Sequence, residues 1–309
     1  MRQGTDEPAS WHHHSNDTPQ QLRLVNQTPS FSGIISMLRS IWRDESNQDE
    51  RGRRILRAGG WQLWKRIARS PVQVGLFNGM RFRAYPDCTV SSSAVYFRVP
   101  NYRHVEFIRR HVRGGTLLDI GANVGLFTLL LADRVEHAIL FEPNPLAAAR
   151  ARENMQLNRL NCEVVEMAAS DQGGEVIFEN AGGASPVNRT VVGFSTSLPI
   201  ITVQRQALDS FLAERRLAVP VSVVKIDVEG HENSVLYGMR SCMREMRPLI
   251  MFEYLARTNL RETFEIFAGA GYRVLAFSQS GKLEPATLAV KPLQDLFASP
   301  EEDCARLVA

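Results

Sequence analysis

Long hydrophobic runs, closely spaced cysteines and a strong net charge are all missing from this chain of 309 residues. No stretch approaches the roughly 20 consecutive apolar residues that cross a bilayer, and the opening residues lack the apolar segment of a secretory signal. The four cysteines form no C-x-x-C pair, which argues against a zinc site or a redox motif. These absences predict a cytoplasmic protein without assigned metal ligands, while a divalent ion held by Asp227 and Glu229 remains an alternative.

The overall composition excludes several other classes of protein. Hydrophobic residues make up 44% of the chain and charged residues 22%, which is ordinary globular usage and unlike disordered, collagenous or coiled-coil sequences. The formal net charge of +3 is too small for the whole chain to indicate nucleic-acid binding. The length allows one large domain or two modest ones. The sequence does not indicate the oligomeric state.

Composition changes along the chain predict three parts. Residues 1–30 are rich in Gln, Asn, Ser, Thr and Pro without apolar periodicity, so we expect a disordered tail. Residues 31–112 are expected to form an N-terminal extension of helices and a β-hairpin. Residues 113–309 are expected to form the main domain. A long Gly- and Ser-containing loop at 180–197 within it is interpreted as a lid over the acceptor or as a disordered insert.

Within the extension, periodicity indicates the type of each element. Apolar residues at helical spacing predict helices over 31–42 and 102–112. Alternating apolar residues around Asn78-Gly79 predict a hairpin within a β-rich stretch, 72–97.

The segment 51–69 carries seven basic residues and no acidic one, interleaved with apolar residues. This pattern is typical of an amphipathic helix resting on an anionic membrane or an anionic substrate. The favoured interpretation is a helical cap whose apolar face packs on the main domain and whose arginines are solvated. Gly59-Gly60 predicts a break in any long helix here.

From residue 116 onward, short apolar runs alternate with helical segments, which is the signature of a parallel sheet with crossover helices. The predicted strands are 116–120, 138–141, 163–167, 175–178, 200–203, 221–226, 249–252 and 273–277. The predicted helices are 124–132, 145–157, 208–215, 232–239 and 260–268. We therefore expect a doubly wound α/β fold.

The first of these strands runs into a glycine-containing turn that indicates a ligand site. Gly121, Asn123 and Gly125 follow Asp119, and glycines at such a turn let the backbone approach a ligand closely. The G-x-G-x-x-G spacing of dinucleotide sites is absent, which disfavours an NAD-dependent dehydrogenase. The Asp119 carboxylate suits a positively charged amino group and repels phosphate. S-adenosylmethionine has such a group and lacks phosphate.

Acidic residues follow the next two strands. Glu142 lies 23 residues after Asp119, where a carboxylate can accept hydrogen bonds from both ribose hydroxyls. Asp171 lies in a polar turn at the position where an adenine amino group needs an acceptor, although a turn carboxylate often caps nearby backbone instead. Together these residues predict a nucleoside-containing cofactor.

The strand at 221–226 is followed by a dense group of titratable residues. Asp227, Glu229 and His231 all follow its end. His231 is the first candidate for a general base, because a helix N-terminus disfavours imidazolium and keeps the ring neutral. Asp227 is the second candidate. A solvent-facing histidine and carboxylates that stabilise the helix N-terminus remain the structural alternatives.

Four blocks resemble the FkbM-type methyltransferases: Asp119-x-Gly121-Ala122-Asn123-x-Gly125, Phe141-Glu142-Pro143, Ala169-Ser170-Asp171 and Lys225-Ile226-Asp227-Val228-Glu229-Gly230-His231-Glu232. The resemblance covers roughly residues 72–280. It implies a class I methyltransferase fold with a seven-stranded, mostly parallel sheet, and dependence on S-adenosylmethionine. It also implies methyl transfer to a hydroxyl of a sugar, glycan or polyketide-type natural product.

Other functions remain as alternatives. A nucleic-acid methyltransferase is disfavoured, because no Asn-Pro-Pro-Tyr-like block follows the strand at 221–226. A methyltransferase acting on another small molecule or on a lipid-linked acceptor, and a non-catalytic cofactor-binding member, stay open. The sequence does not identify the acceptor, because substrate pockets are built from loops that carry no motif.

Overall fold

The computed structural model describes residues 31–179, 199–278, 280–291 and 294–308. The predicted tail, 1–30, and the predicted lid or insert at 180–197 lie outside these residues.

The strands of the described residues are β1 (Val72–Gly75), β2 (Arg81–Ala84), β3 (Thr116–Ile120), β4 (His137–Phe141), β5 (Cys162–Val165), β6 (Ala168–Ser170), β7 (Gly174–Glu179), β8 (Ile200–Ala207), β9 (Val221–Ile226), β10 (Leu249–Tyr254), β11 (Tyr272–Phe277), β12 (Leu283–Pro285) and β13 (Gln294–Pro300). The α-helices are α1 (Phe31–Arg43), α2 (Arg51–Ile67), α3 (Thr89–Tyr96), α4 (Tyr102–His111), α5 (Leu126–Leu131), α6 (Pro145–Asn158), α7 (Leu208–Ala213), α8 (Glu232–Tyr237), α9 (Arg240–Met246), α10 (Leu260–Gly269) and α11 (Glu301–Val308).

The main sheet confirms the predicted α/β class. Its order is β12-β11-β13-β10-β9-β3-β4-β5, and the five strands from β10 to β5 are parallel. β13 enters antiparallel between β10 and β11, and the short β12 adds an eighth strand at the edge. In such a sheet ligands bind outside the carboxyl ends of the parallel strands.

Two strands of this sheet were absent from the expectations. Neither β12 nor β13 was predicted. Each is held in the sheet by antiparallel pairing with distant strands, and its own local sequence does not indicate that pairing. β13 begins with the polar pair Gln294-Asp295, which hides its apolar run from a periodicity argument. Its position beside β10 nevertheless brings Asp295 opposite Glu253.

Two expectations for the extension were wrong. Residues 89–96 were placed in a β-rich stretch, yet they form α3, since burial of this segment against α2 overrides the β propensity of its Val and Thr residues. Gly59 and Gly60 do not interrupt α2, because the residues on either side of the pair are buried and hold the helix. Trp61 is 4% exposed and its indole donates to Ser92 Oγ at 2.9 Å, which offsets the roughly 1 kcal/mol cost of each glycine.

The extension and the sheet share a hydrophobic core. One buried cluster joins Ile41, Trp61 and Phe82 of the extension to Leu117 and Leu140 of the central strands. The extension therefore covers one face of the sheet, and α1 reaches the cavity described below. Among the described residues, no helix has the length and apolar character required to span a membrane.

Candidate functional site

A cavity of about 470 Å³ opens at the carboxyl ends of the parallel strands. This volume lies in the range of small-molecule sites. Gly121, Asn123 and Glu142 line one end of it, and Asp227, Glu229 and His231 line the other. Six of the nine predicted site residues thus share a single cavity.

The turn after β3 is tight enough to demand glycine. Gly121 has φ +75°, and a Cβ there would overlap the backbone oxygen of Asp227. Gly125 has φ +76°, and its Cβ would lie 2.7 Å from Cε of Met155. Asn123 also adopts positive φ, and its side-chain oxygen accepts from the Val124 backbone N–H at 2.9 Å. Gly125 packs the turn against α6 and is not among the cavity-lining residues of the described chain.

Glu142 faces this turn from the end of β4. Its two carboxylate oxygens accept from the backbone N–H groups of Asn123, at 2.8 Å, and of Asn144, at 2.9 Å. The side chain is 6% exposed, and this burial raises its pKa to about 7 although the two backbone donors oppose the shift. The carboxylate is held rigidly and presents its remaining lone pairs to the cavity.

Asp119 lies behind the turn. It is fully buried, accepts from Thr128 Oγ1 at 2.7 Å, and has its other oxygen 3.6 Å from Lys225 Nζ. The parallel register of β3 and β9 pairs Asp119 directly with Lys225. Burial raises the pKa of Asp119, and the Lys225 ammonium opposes that rise. Asp119 is not among the described residues that line the cavity.

Lys225 connects the two ends of the cavity. Its ammonium donates to the Gly121 carbonyl at 2.8 Å and lies 3.2 Å from Asp227 Oδ2. Burial alone would lower the pKa of Lys225, but Asp227 and Asp119 together hold it above its ordinary value. The lysine is therefore a fixed positive charge that orders the turn and one carboxylate of the opposite end.

Asp171 occupies an exposed turn after β6. Its Oδ1 accepts from Ser170 Oγ at 3.0 Å, and it is not among the described residues that line the cavity. Its predicted contact with the adenine amino group stays a prediction.

The acidic cluster at the other end consists of Asp227, Glu229, Glu253 and Asp295. Oxygens of the first three all lie within 4.8 Å of one another. Burial, followed by repulsion from Asp227, raises the pKa of Glu229 to about 7 and that of Glu253 well above its usual range. Asp295 has its pKa raised to about 7 in the same way.

The cluster is partly compensated by cations. Arg257 Nη2 donates to Glu229 at 2.6 Å, and Asp227, with 42% of its side chain exposed, pairs with Lys225. Three carboxylates at this spacing are able to hold either shared protons or a divalent cation. The expectation that the site has no metal ligands stays a prediction.

His231 is the N-cap residue of α8 and lines the cavity beside this cluster. Partial burial lowers its pKa, and the negative charge of Asp171 opposes the shift. No hydrogen bond to the ring occurs within the part of the chain that the structure describes. A neutral imidazole is thus available at neutral pH.

Sequence reasoning gave no role to Lys225, Glu253 or Asp295. The first two stand within or at the end of buried apolar strands, and a charge in such a run is itself a signal of a paired or functional group. Asp295 had no comparable signal, because β13 was not predicted.

Comparison with known proteins identifies the family. Residues 119–274, just over half of the chain, match the model described as "Methyltransferase FkbM domain". The "Hexuronic acid methyltransferase AglP" of Haloferax volcanii is 27% identical over 135 residues, covering 44% of this chain and 54% of that protein. The "2-O-methyltransferase NoeI" of Sinorhizobium fredii is 30% identical over 155 residues, covering 45% of this chain and 62% of that protein.

A solved structure of an FkbM methyltransferase from Methylobacillus flagellatus aligns with 80% of this chain and 60% of its own, at 12% identity and a TM-score of 0.41. The chain spans little more than half the length of the two curated relatives it matches. The family match confirms the methyltransferase prediction and, with it, the dependence on S-adenosylmethionine. The chain belongs to the FkbM methyltransferase family.

Proposed function

We propose that this methyltransferase transfers its methyl group to a hydroxyl oxygen of an uncharged sugar. The observation that carries the proposal is one shared cavity, which has a glycine turn and a buried carboxylate at one end and four acidic side chains with a neutral imidazole at the other. Carboxylates accept hydrogen bonds from the hydroxyls of a polyhydroxylated ligand, and protonated carboxylic acids also donate them.

The first end fits the cofactor. The absence of a side chain at Gly121 lets the Asp227 backbone pack closely against the turn, and Glu142 is positioned to accept from ribose hydroxyls. S-adenosylmethionine supplies an activated methyl group on a sulfonium centre when bound. Asp119 acts from behind by fixing Lys225, which in turn holds the Gly121 carbonyl. Asp171 is proposed to contact the adenine from the exposed side of the site.

The second end supplies the proton acceptor. His231 is proposed as the general base that takes the hydroxyl proton, because its lowered pKa keeps the ring neutral beside the cavity. Asp227 is the alternative, but Lys225 already engages its charge at 3.2 Å. Glu229 is held by Arg257 and is proposed to orient the acceptor rather than to take the proton.

The charge of the second end favours an uncharged acceptor. Asp227 is exposed to the cavity, and the raised pKa of Glu229 reports the crowding of acidic groups around it. A uronic acid would add a further negative charge to this cluster, which is electrostatically unfavourable. The name of one relative specifies a hexuronic acid and that of the other specifies 2-O transfer. For this chain we propose transfer to a hydroxyl oxygen, as in the second name, and a neutral sugar in place of a hexuronic acid.

The test is methyl transfer from isotopically labelled S-adenosylmethionine to paired acceptors, each a neutral sugar or glycan and the matching uronic acid. We expect the label on a hydroxyl oxygen of the neutral member, located by mass spectrometry after permethylation with a second isotope. Label on nitrogen or carbon would contradict O-transfer. Labelling of only the uronic acids would contradict the charge argument while leaving O-transfer intact.

A further inference from the structure

Helix α2 has two apolar faces, of which the fold uses one. Ala58 and Trp61 are buried against the rest of the extension. Leu56, Leu63 and Ile67 are exposed by 78%, 57% and 73%. At about 100° per residue these three side chains fall within an arc of roughly 40°, so they form one continuous stripe along the helix.

Nothing in the described part of the chain covers this stripe. A Cβ built at Gly59 or at Gly60, beside the stripe, would meet no atom within 4 Å. Trp64, which is 41% exposed, borders the stripe and donates its indole N–H to the Ser70 carbonyl. The helix therefore presents an open apolar strip with an aromatic edge.

The charges around the stripe have one sign. Arg53 and Arg66 are exposed and lie on opposite flanks of it, and Arg69 follows its end. The stretch 51–69 contains seven basic residues and no acidic one. Glu50, just before the helix, pairs weakly with Arg53 at 3.9 Å and more closely with the buried Arg54. The flanks of the stripe thus keep a positive field.

We propose that this outer face of α2, defined by Leu56, Leu63, Trp64, Ile67 and the flanking arginines, docks the protein on an anionic lipid bilayer. A bilayer offers acyl chains to the stripe and negative headgroups to the arginines at the same time. A second copy of the chain pairing through the same face would bring like charges together. A polynucleotide offers phosphates but no apolar layer for the leucines. The proposal does not depend on the acceptor of methyl transfer.

The test is cosedimentation of the full chain with vesicles of phosphatidylcholine alone and of phosphatidylcholine with about 30% phosphatidylglycerol. We expect binding to the anionic vesicles that weakens as salt rises, and little binding to the neutral ones. Leu63→Asp combined with Ile67→Asp should remove binding. Leu288→Asp is the matched control, since Leu288 is also exposed, by 48%, but lies elsewhere on the surface.

A charge variant separates the two contributions. Arg53→Gln with Arg66→Gln should lower the partition coefficient by about ten- to thirty-fold at low salt, because each arginine near an anionic surface contributes about 1 kcal/mol. Arg306→Gln, an exposed arginine of α11, should change it little. Unchanged unfolding temperatures and unchanged titration with S-adenosylhomocysteine would show that every variant is folded.

Three outcomes would overturn the proposal. The first is equal or absent binding of the native chain to the two kinds of vesicle. The second is full binding by the Leu63→Asp, Ile67→Asp variant. The third is a dimer in sedimentation velocity that this variant dissociates, which would assign the face to a second copy of the chain.

Discussion

The two ends of the cavity hold their carboxylates in opposite ways. At the β3–β4 end, Glu142 accepts from two backbone N–H groups, and Asp119 accepts from Thr128 and lies 3.6 Å from the Lys225 ammonium. At the β9–β10 end, Asp227, Glu229 and Glu253 crowd one another, and protonation relieves part of their repulsion. The first end, which we call the frame, is ordered by contacts within the protein. The second leaves hydrogen-bonding capacity and proton affinity for the acceptor.

The largest expected effect breaks the frame. Gly121→Ala should lower the free energy of unfolding by about 2–5 kcal/mol and abolish measurable cofactor binding, because its φ is positive and its Cβ overlaps the Asp227 backbone. Gly79→Ala is the matched control, with φ +83° and nothing within 4 Å of its Cβ, and should cost only about 1–2 kcal/mol. Equal losses in urea unfolding of the two variants would contradict the close approach at Gly121.

The next effect separates chemistry from binding. His231→Ala should lower kcat by about 10²-fold or more and leave the affinity for S-adenosylhomocysteine nearly unchanged, since a general base acts on the transition state. His111→Ala, on α4 and away from the cavity, is the control. Near-native turnover of the His231 variant from about pH 6 to 9 would contradict His231 as the general base. Asp227 would then be the candidate, which Asp227→Asn tests. If both variants keep the native rate, catalysis rests on alignment without a protein base.

A smaller effect concerns the cofactor end. Glu142→Ala should weaken binding of S-adenosylhomocysteine by about 1.5–3 kcal/mol for each charged hydrogen bond lost. Calorimetric titration measures this change, and kcat at saturating cofactor should fall less than in the His231 variant. Native affinity in Glu142→Ala would remove Glu142 from the cofactor site.

The smallest effect is a dependence of stability on pH. Glu142, Glu229 and Asp295 have their pKa values raised to about 7, so the native state binds protons that the unfolded chain has released. The free energy of unfolding should therefore rise as pH falls from about 7 toward 5. Urea midpoints measured across this range should show the slope. Glu229→Gln should flatten it, and Glu245→Gln, at an exposed site, should leave it unchanged.

The sequence pointed to residues at both ends of the cavity but missed Glu253 and Asp295 of the acidic end. Asp119, Gly121 and Glu142 all follow or end apolar runs whose alternation with helices is visible locally. Glu253 and Asp295 meet only because β13 enters the sheet antiparallel beside β10, a long-range pairing that local periodicity does not encode.

The role of Asp119 stays a prediction, and its burial adds a second candidate role, that of positioning Lys225. Asp119 was expected to contact the amino group of the cofactor, and the structure places it behind the turn, paired with Lys225 through the β3–β9 register. That pairing depends on which strands are neighbours, which is a property of the topology. Asp119→Asn tests the difference, since a positioning role predicts lost stability along with weaker cofactor binding.

The most direct test of the two-ended account is a crystal structure of the chain with S-adenosylhomocysteine. We expect the ribose hydroxyls within hydrogen-bond distance of Glu142 and the sulfur facing Asp227 and His231. A ligand bound with its sulfur directed away from the acidic cluster, or outside this cavity, would contradict the account.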